Sequence, residues 1–341
     1  MRKLSIIIVL IGCFSTAQCQ TFKGTVYDQS TDSTLSFAVV YISGTSIRTY
    51  TDINGNFELN ISKCGSKPIT ISLIGYYSVT LIEYNSNKTY KIYLSNKINE
   101  LNEVVVKGKK GKWETYLRIF KREFLGVSEN ASECDLLNEK DLRFFNIYDT
   151  TLSAYSLKPL LIHNKALGYT ITYYLDKFKY SFQKDDKRIF NETCFILGNY
   201  LFKDDLLTLS ESERQTVEDR RKRAYLGSRM QFFRLLYIGN YNYKGRFNIL
   251  LSDTTISTVF LIQPTIHSKL SVIKKDSLSG YLKYKGDLFI TYKKMGTTMN
   301  IKKDSVYFEK DGFYDPFGVV FSGEMSDRRI GDLLPFEYLL K

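Results

Sequence analysis

From residue 21 to residue 97, short apolar runs alternate with polar positions and are broken repeatedly by Gly, Asn or Asp. Phe57, Leu59 and Ile61 fall on one side of an extended segment, with Glu58 and Asn60 on the other. Ile69, Ile71 and Leu73 repeat that period, with Thr70 and Ser72 opposite, and predict a strand with one buried face. Between two such runs, Asp52-Ile53-Asn54-Gly55-Asn56 predicts a tight turn, because Asn54 and Gly55 tolerate positive φ. Gly75 lets the chain bend before Tyr76 and Tyr77, and residues 88–94 predict a last strand. Many short strands separated by turn residues make a β-sandwich.

The period then changes. Trp113, Tyr116, Leu117, Phe120 and Phe124 recur at helical spacing, with Lys121, Arg122 and Glu123 off that face and Gly126 as a stop. This predicts a helix beginning near Trp113 that packs on its own domain; a membrane-surface helix with basic flanks is the alternative. Extended segments follow at 141–148, 152–155, 160–163, 168–178, 247–251, 259–262, 288–292 and 306–308. Within 168–178, Tyr169, Ile171, Tyr173 and Leu175 share one face. One helical insertion spans 211–238, opened by capping-box patterns at Thr208 to Glu211 and Ser210 to Glu213, and divided at Gly227. No glycine-rich phosphate loop and no βαβ alternation interrupts this order.

The first segment carries a set of motifs: Gly24-x-Val26-x-Asp28, Ala38-Val39-Val40, Gly44-Thr45, Thr51-Asp52-x-x-Gly55-x-Phe57 and Ile74-Gly75-Tyr76. Together they resemble the carboxypeptidase regulatory-like domain. The resemblance implies a prealbumin-like β-sandwich of the kind found in exported proteins of Bacteroidetes. It implies no peptidase activity, because the family is named for an accessory domain beside metallopeptidases. Residues 101–108 resemble the segment that follows this domain in TonB-dependent transporters, but the remaining chain is too short for their barrel and plug. The expected fold is therefore mainly β. A prealbumin-like β-sandwich at 21–97 is followed by a basic linker and amphipathic helix at 98–126. A larger α+β domain of mostly antiparallel strands with a helical insertion fills 127–341.

Residues 1–20 read as a signal peptide: Arg2 and Lys3 precede an apolar run, and small residues follow at Ser15 to Ala17. The run is too short to span a bilayer, and no later segment is long and apolar enough for a transmembrane helix. Leu10-Ile11-Gly12-Cys13 keeps a lipidated alternative open. The expected location is the periplasm or the outer membrane, with peripheral association. Removing Arg2 and Lys3 with the leader takes the formal net charge from +12 to +10, which reads first as a solvated basic surface and alternatively favours anionic glycans, lipid head groups or acidic proteins as partners. Arg220-Arg221-Lys222-Arg223 suits nucleic acid only in a cytosolic protein, so it is read as a solvated helix face and no nucleic acid is expected. Past the leader, Cys64, Cys134 and Cys194 remain. An odd number leaves at least one unpaired, and a Cys134–Cys194 bridge or buried free thiols both satisfy the count.

Catalytic chemistry has little to work with. His163 and His267 are the histidines, neither has a Glu at zinc-ligand spacing, and no Gly-x-Ser-x-Gly elbow occurs. Asp185-Asp186 and Asp204-Asp205 are read as loop charges. No catalytic residue, cofactor or metal is expected. Asp-Ser or Asp-Thr followed by an aliphatic residue or Thr resembles the O-glycosylation site of Bacteroidetes, and marks Ser33, Thr150, Thr254, Ser277 and Ser305; turn chemistry explains the same dipeptides. The resulting expectation is a non-catalytic cell-envelope protein that binds or scaffolds a partner protein or glycan. An exported hydrolase with its site in residues 127–341 is the alternative.

Overall fold

The computed structural model describes residues 20–340, apart from 63, 98–109, 148–149, 157, 185–188, 240–246, 253–269 and 294. Seven strands make the first domain: β1 (Thr21–Asp28), β2 (Val39–Ile42), β3 (Arg48–Tyr50), β4 (Asn56–Asn60), β5 (Ile69–Ser72), β6 (Val79–Leu81) and β7 (Thr89–Leu94). They form two sheets, ordered β4-β1-β7 and β3-β2-β5-β6. Phe22, Val26, Val40, Ile42, Leu59 and Ile71 fill the space between them, so the expected sandwich is present. The predicted turn closes through Asp52, whose Oδ1 accepts the N–H groups of Asn54 (2.9 Å) and Asn56 (2.8 Å). Gly55 takes the positive φ of +77° there.

The sequence predicts one buried face for the β5 segment, but Thr70 and Ser72 on the opposite face are buried as well. Their sheet is covered from outside by the second region. Tyr41 stacks on Tyr174 at 5.3 Å, beside Val39 and Leu201.

The second region opens with α1 (Lys110–Leu125) and α2 (Glu129–Ser132). Strands β8 (Cys134–Leu136), β9 (Leu142–Ile147), β10 (Thr151–Ser156), β11 (Leu160–Asn164), β12 (Tyr169–Lys184) and β13 (Ile189–Asp204) then build a six-stranded antiparallel sheet. β12 is its spine: β11 and β10 pair with successive stretches of one edge, and β13 runs along the other. The strand predicted at 168–178 thus continues to Lys184, and β13 was not predicted.

α1 begins ahead of Trp113 and lies on one face of this sheet. Phe120 meets Phe178 at 4.7 Å and Phe144 at 5.9 Å, and Phe124 stands edge-on to Tyr173 at 4.8 Å. Both phenylalanines are fully buried, so the aromatic face serves the domain's own core rather than a membrane surface.

Helices α3 (Glu211–Tyr225) and α4 (Arg229–Tyr237) follow, separated at Gly227 with φ +79°. Glu213 accepts the Ser210 N–H at 2.8 Å and completes the second capping-box pattern. The remaining elements are β14 (Asn248–Ser252), β15 (Ser271–Lys274), β16 (Ser279–Lys283), β17 (Asp287–Tyr292), β18 (Met295–Ile301), β19 (Val306–Glu309), β20 (Val319–Gly323) and α5 (Glu324–Asp327). Sheets β14-β17-β18-β20 and β15-β16-β19 enclose Leu288, Ile290, Met299 and Phe308 against Phe232 and Phe233 of α4. Among the described residues after 109, most buried apolar side chains gather into two cores. The strand predicted at 259–262 lies outside the described residues.

Candidate functional site

The six-stranded sheet has two unlike faces. Phe144, Ala154 and Phe178 sit side by side on β9, β10 and β12 and point toward α1. One residue further along each strand, the other face carries Phe145, Ser153, Lys179 and Phe195 in a continuous row. Arg143 pairs with Tyr155, and Lys177 pairs with Leu197, on the same side. Phe145 and Tyr155 rings lie 6.2 Å apart, and the Lys177 ammonium is 5.8 Å from the Phe195 ring. Arg143, Lys177, Lys179 and Phe195 are exposed. No Asp or Glu occupies this face on β9, β10 or the stretch of β12 from Lys177 onward. The nearest carboxylate along β12 is Asp176 at the bulge after Leu175. Burial raises its pKa, and Lys97 of the first domain pulls it back. The proximal half of the same face, at Tyr174 and Leu201, is covered by the first domain.

That covering contact is extensive. Gly44 N–H donates to the Tyr200 carbonyl at 2.7 Å, and Phe202 N–H donates to Thr45 at 2.9 Å, so the sandwich extends along the free edge of β13. Arg48 reaches the Phe202 carbonyl at 3.0 Å. A second contact joins the first domain to the loop after β19. Lys67, 1% exposed, donates to Glu309 at 2.7 Å and contacts Asp311. Burial alone would lower the Lys67 pKa, but the Asp311 and Glu309 carboxylates outweigh it and hold it above the usual lysine range. The Phe313 and Phe336 rings flank Nζ at 5.6 and 5.7 Å.

The sequence-selected groups do not converge. His163 sits on β11 opposite Thr170 and Asp135, and His267 lies outside the described residues. Cys64, Cys134 and Cys194 form no disulfide. Burial pushes the Cys134 thiol up to about 12 and the Cys194 thiol up to about 11, which makes both poor nucleophiles. Among the described residues, no three His, Cys, Asp or Glu side chains group as metal ligands. A depression of about 240 Å³ on β17, β18 and β20 is lined by residues such as Phe289, Thr297, Ser322 and Gly323, with no ionisable side chain among its walls.

Two charge readings need correction. Asp204 and Asp205 are not solvated charges: Asp205, in the loop after β13, is buried and accepts the Thr170 hydroxyl at 2.5 Å. Asp204 ends β13 and takes a forked contact from Arg221 at 2.8 and 3.1 Å. Arg221 is accordingly buried rather than solvated. It also donates to the Leu167 and Gly168 carbonyls and lies 3.8 Å from the Tyr169 ring centre. Asp185 and Asp186 lie outside the described residues.

Of the glycosylation candidates, Ser33, Thr150 and Ser277 are exposed, Ser305 is half-buried, and Thr254 lies outside the described residues. Asp276, before Ser277, accepts the N–H groups of Leu278 and Ser279 at 2.8 and 2.7 Å, so turn chemistry operates there.

The strand predicted at 168–178 stops before Lys179, and the bulge after Leu175 moves Lys177 off the face that the period of Tyr173 and Leu175 would give it. The neighbours Phe145 and Phe195 depend on cross-strand register, which the sequence does not display. Residues 22–106 match the family model of the CarboxypepD_reg-like domain, so the chain carries that domain at its N-terminus. The match extends past residue 97, through the Val104-Val105-Val106 run. No curated protein matches the chain in sequence comparison. No helix among the described residues is long and apolar enough to cross a membrane.

Proposed function

We propose that this is a non-catalytic, exported protein of the cell envelope that binds an anionic glycan on the outer face of β9, β10, β12 and β13. The observation that carries this reading is the row Phe145–Ser153–Lys179–Phe195, with Arg143, Tyr155 and Lys177 beside it. Sugar rings stack on flat aromatic surfaces, and carboxylate or sulfate substituents pair with lysine and arginine. A face whose cations on β9, β10 and β12 from Lys177 onward meet no Asp or Glu in those stretches is complementary to such a polymer. The net positive charge, +10 once Arg2 and Lys3 leave with the signal, adds long-range attraction. Support for binding rather than turnover comes from the raised thiol pKa values and the absence of an ionisable lining in the depression on β17. Support for export comes from the basic-then-apolar pattern of residues 1–20.

Titration calorimetry of the full chain with polygalacturonate tests the proposal. Binding is expected to weaken as salt rises, and dextran, a neutral polymer, is expected not to bind. The double variant Lys177→Ala/Lys179→Ala should lose at least about tenfold in affinity, or about 1.4 kcal/mol. Equal affinity for dextran, an unaffected double variant, or tighter binding of a single-stranded oligonucleotide would refute the assignment.

A further inference from the structure

The geometry points to an intramolecular amide bond between the Lys67 side chain and Asp311, formed by the protein itself with Glu309 as proton relay. The two chain segments lie 244 residues apart, one in the first domain and one after β19. Three features set this cluster apart from an ordinary ion pair.

The first is charge. Glu309 alone neutralises Lys67, and its own bonding is complete without Asp311. Its Oε2 takes Lys67 Nζ at 2.7 Å, while Oε1 takes Ser66 N–H at 2.7 Å and Tyr307 Oη–H at 2.8 Å. Asp311 is a second anion brought against the same nitrogen. The second feature is desolvation. Lys67 and Glu309 are 1% and 3% exposed, and the Phe313 and Phe336 rings close over the amine. The two carboxylates and the Cys64 carbonyl, at 3.1 Å, hold Lys67 as an ammonium at rest, so Nζ becomes a nucleophile only once Glu309 has drawn off a proton. The third is a donor placed on the acceptor group. Phe313 N–H donates to Asp311 Oδ1 at 3.1 Å, opposite the Oδ2 that faces the lysine.

The step balances without a co-reactant. Glu309 takes a proton from Nζ and passes it to Asp311, giving an amine and a carboxylic acid. Nζ attacks Cγ of Asp311, and the charge developing on Oδ1 is held by the Phe313 N–H. Glu309 moves the second proton from nitrogen to Oδ2. The Cγ–Oδ2 bond breaks, one water departs past the partly exposed side of Asp311, and the Nζ–Cγ amide remains. Nothing is oxidised or reduced, and Glu309 ends as it began.

Proteolytic mapping of the purified full chain by mass spectrometry reads this directly. The expected result is a branched peptide joining Lys67 to Asp311, lighter than its two linear parts by one water. The Glu309→Gln variant should yield the two linear peptides instead. Recovery of Lys67 only in linear peptides from the wild type would overturn the inference, as would a branch joining Lys67 to Glu309. The wild-type map needs no variant to fold.

Discussion

At the scale of single residues, the family motifs of the first domain explain themselves through one contact. Tyr76 Oη–H donates to Asp28 Oδ2 at 2.7 Å, joining the end of the first motif to the end of the last. Ser30 N–H and Thr31 N–H donate to Oδ1 at 2.7 and 3.1 Å, and the Ser30 hydroxyl adds a third bond. The Ser30 hydroxyl first, then Tyr76, holds the Asp28 carboxyl far below the usual carboxylate range. A depressed folded-state pKa means the unfolded chain binds the proton more readily. Asp28 therefore stabilises the fold above its unfolded pKa of about 4, and that stabilisation drains away as pH falls toward the folded value. The stability difference between wild type and Asp28→Asn, measured by urea unfolding, should be widest above about pH 5 and close toward about pH 2. A difference that stays constant across that range would contradict this account.

At the scale of elements, α1 shows what the periodic pattern determines. Its spacing of Trp113, Phe120 and Phe124 predicts a helix with one buried face, and the sheet beneath supplies Phe144, Phe178 and Tyr173 to receive it. Phe120 meets Phe144 and Phe178 of the sheet, stacks on Phe124 of its own helix and has no solvent exposure. Phe120→Ala should cost about 3–5 kcal/mol, because the sheet side of the cavity cannot collapse onto a shortened side chain. Denaturant unfolding checks the figure; a loss under about 1 kcal/mol would mean that the helix is loosely docked. Strands whose faces differ in polarity, such as the first half of β12, were legible for the same reason. β13 was not, since Cys194-Phe195-Ile196-Leu197 is apolar on both faces and offers no alternation. Met295-Gly296-Thr297-Thr298 in β18 lacks apolar weight and hides another strand. Neither the binding face nor the Lys67 cluster was legible: the face depends on the bulge after Leu175 and on cross-strand register, and Lys67 and Glu309 are 242 positions apart.

At the scale of the whole molecule, the first domain is mounted on the second region rather than strung beside it. Its β3-β2-β5-β6 sheet is buried on both sides at β2 and β5, which an isolated sandwich would leave half wet. The mounting uses β13, whose free edge would otherwise present unpaired backbone groups. Leu201, packed between Val39, Tyr41 and Tyr174, is the apolar centre of the contact. Leu201→Asp would put an unpaired carboxylate there, at a cost of about 3–5 kcal/mol if the contact stayed closed. Opening is cheaper than burying the charge, so calorimetry of the variant should show the first domain melting separately at lower temperature. A profile of unchanged shape would mean that the domain is independently stable and merely adjacent. None of the side chains on the proposed glycan face comes from the first domain, so the same variant should still bind polygalacturonate. Loss of both properties together would make the sandwich part of the binding surface, and the sheet of β9, β10, β12 and β13 would then be only its floor.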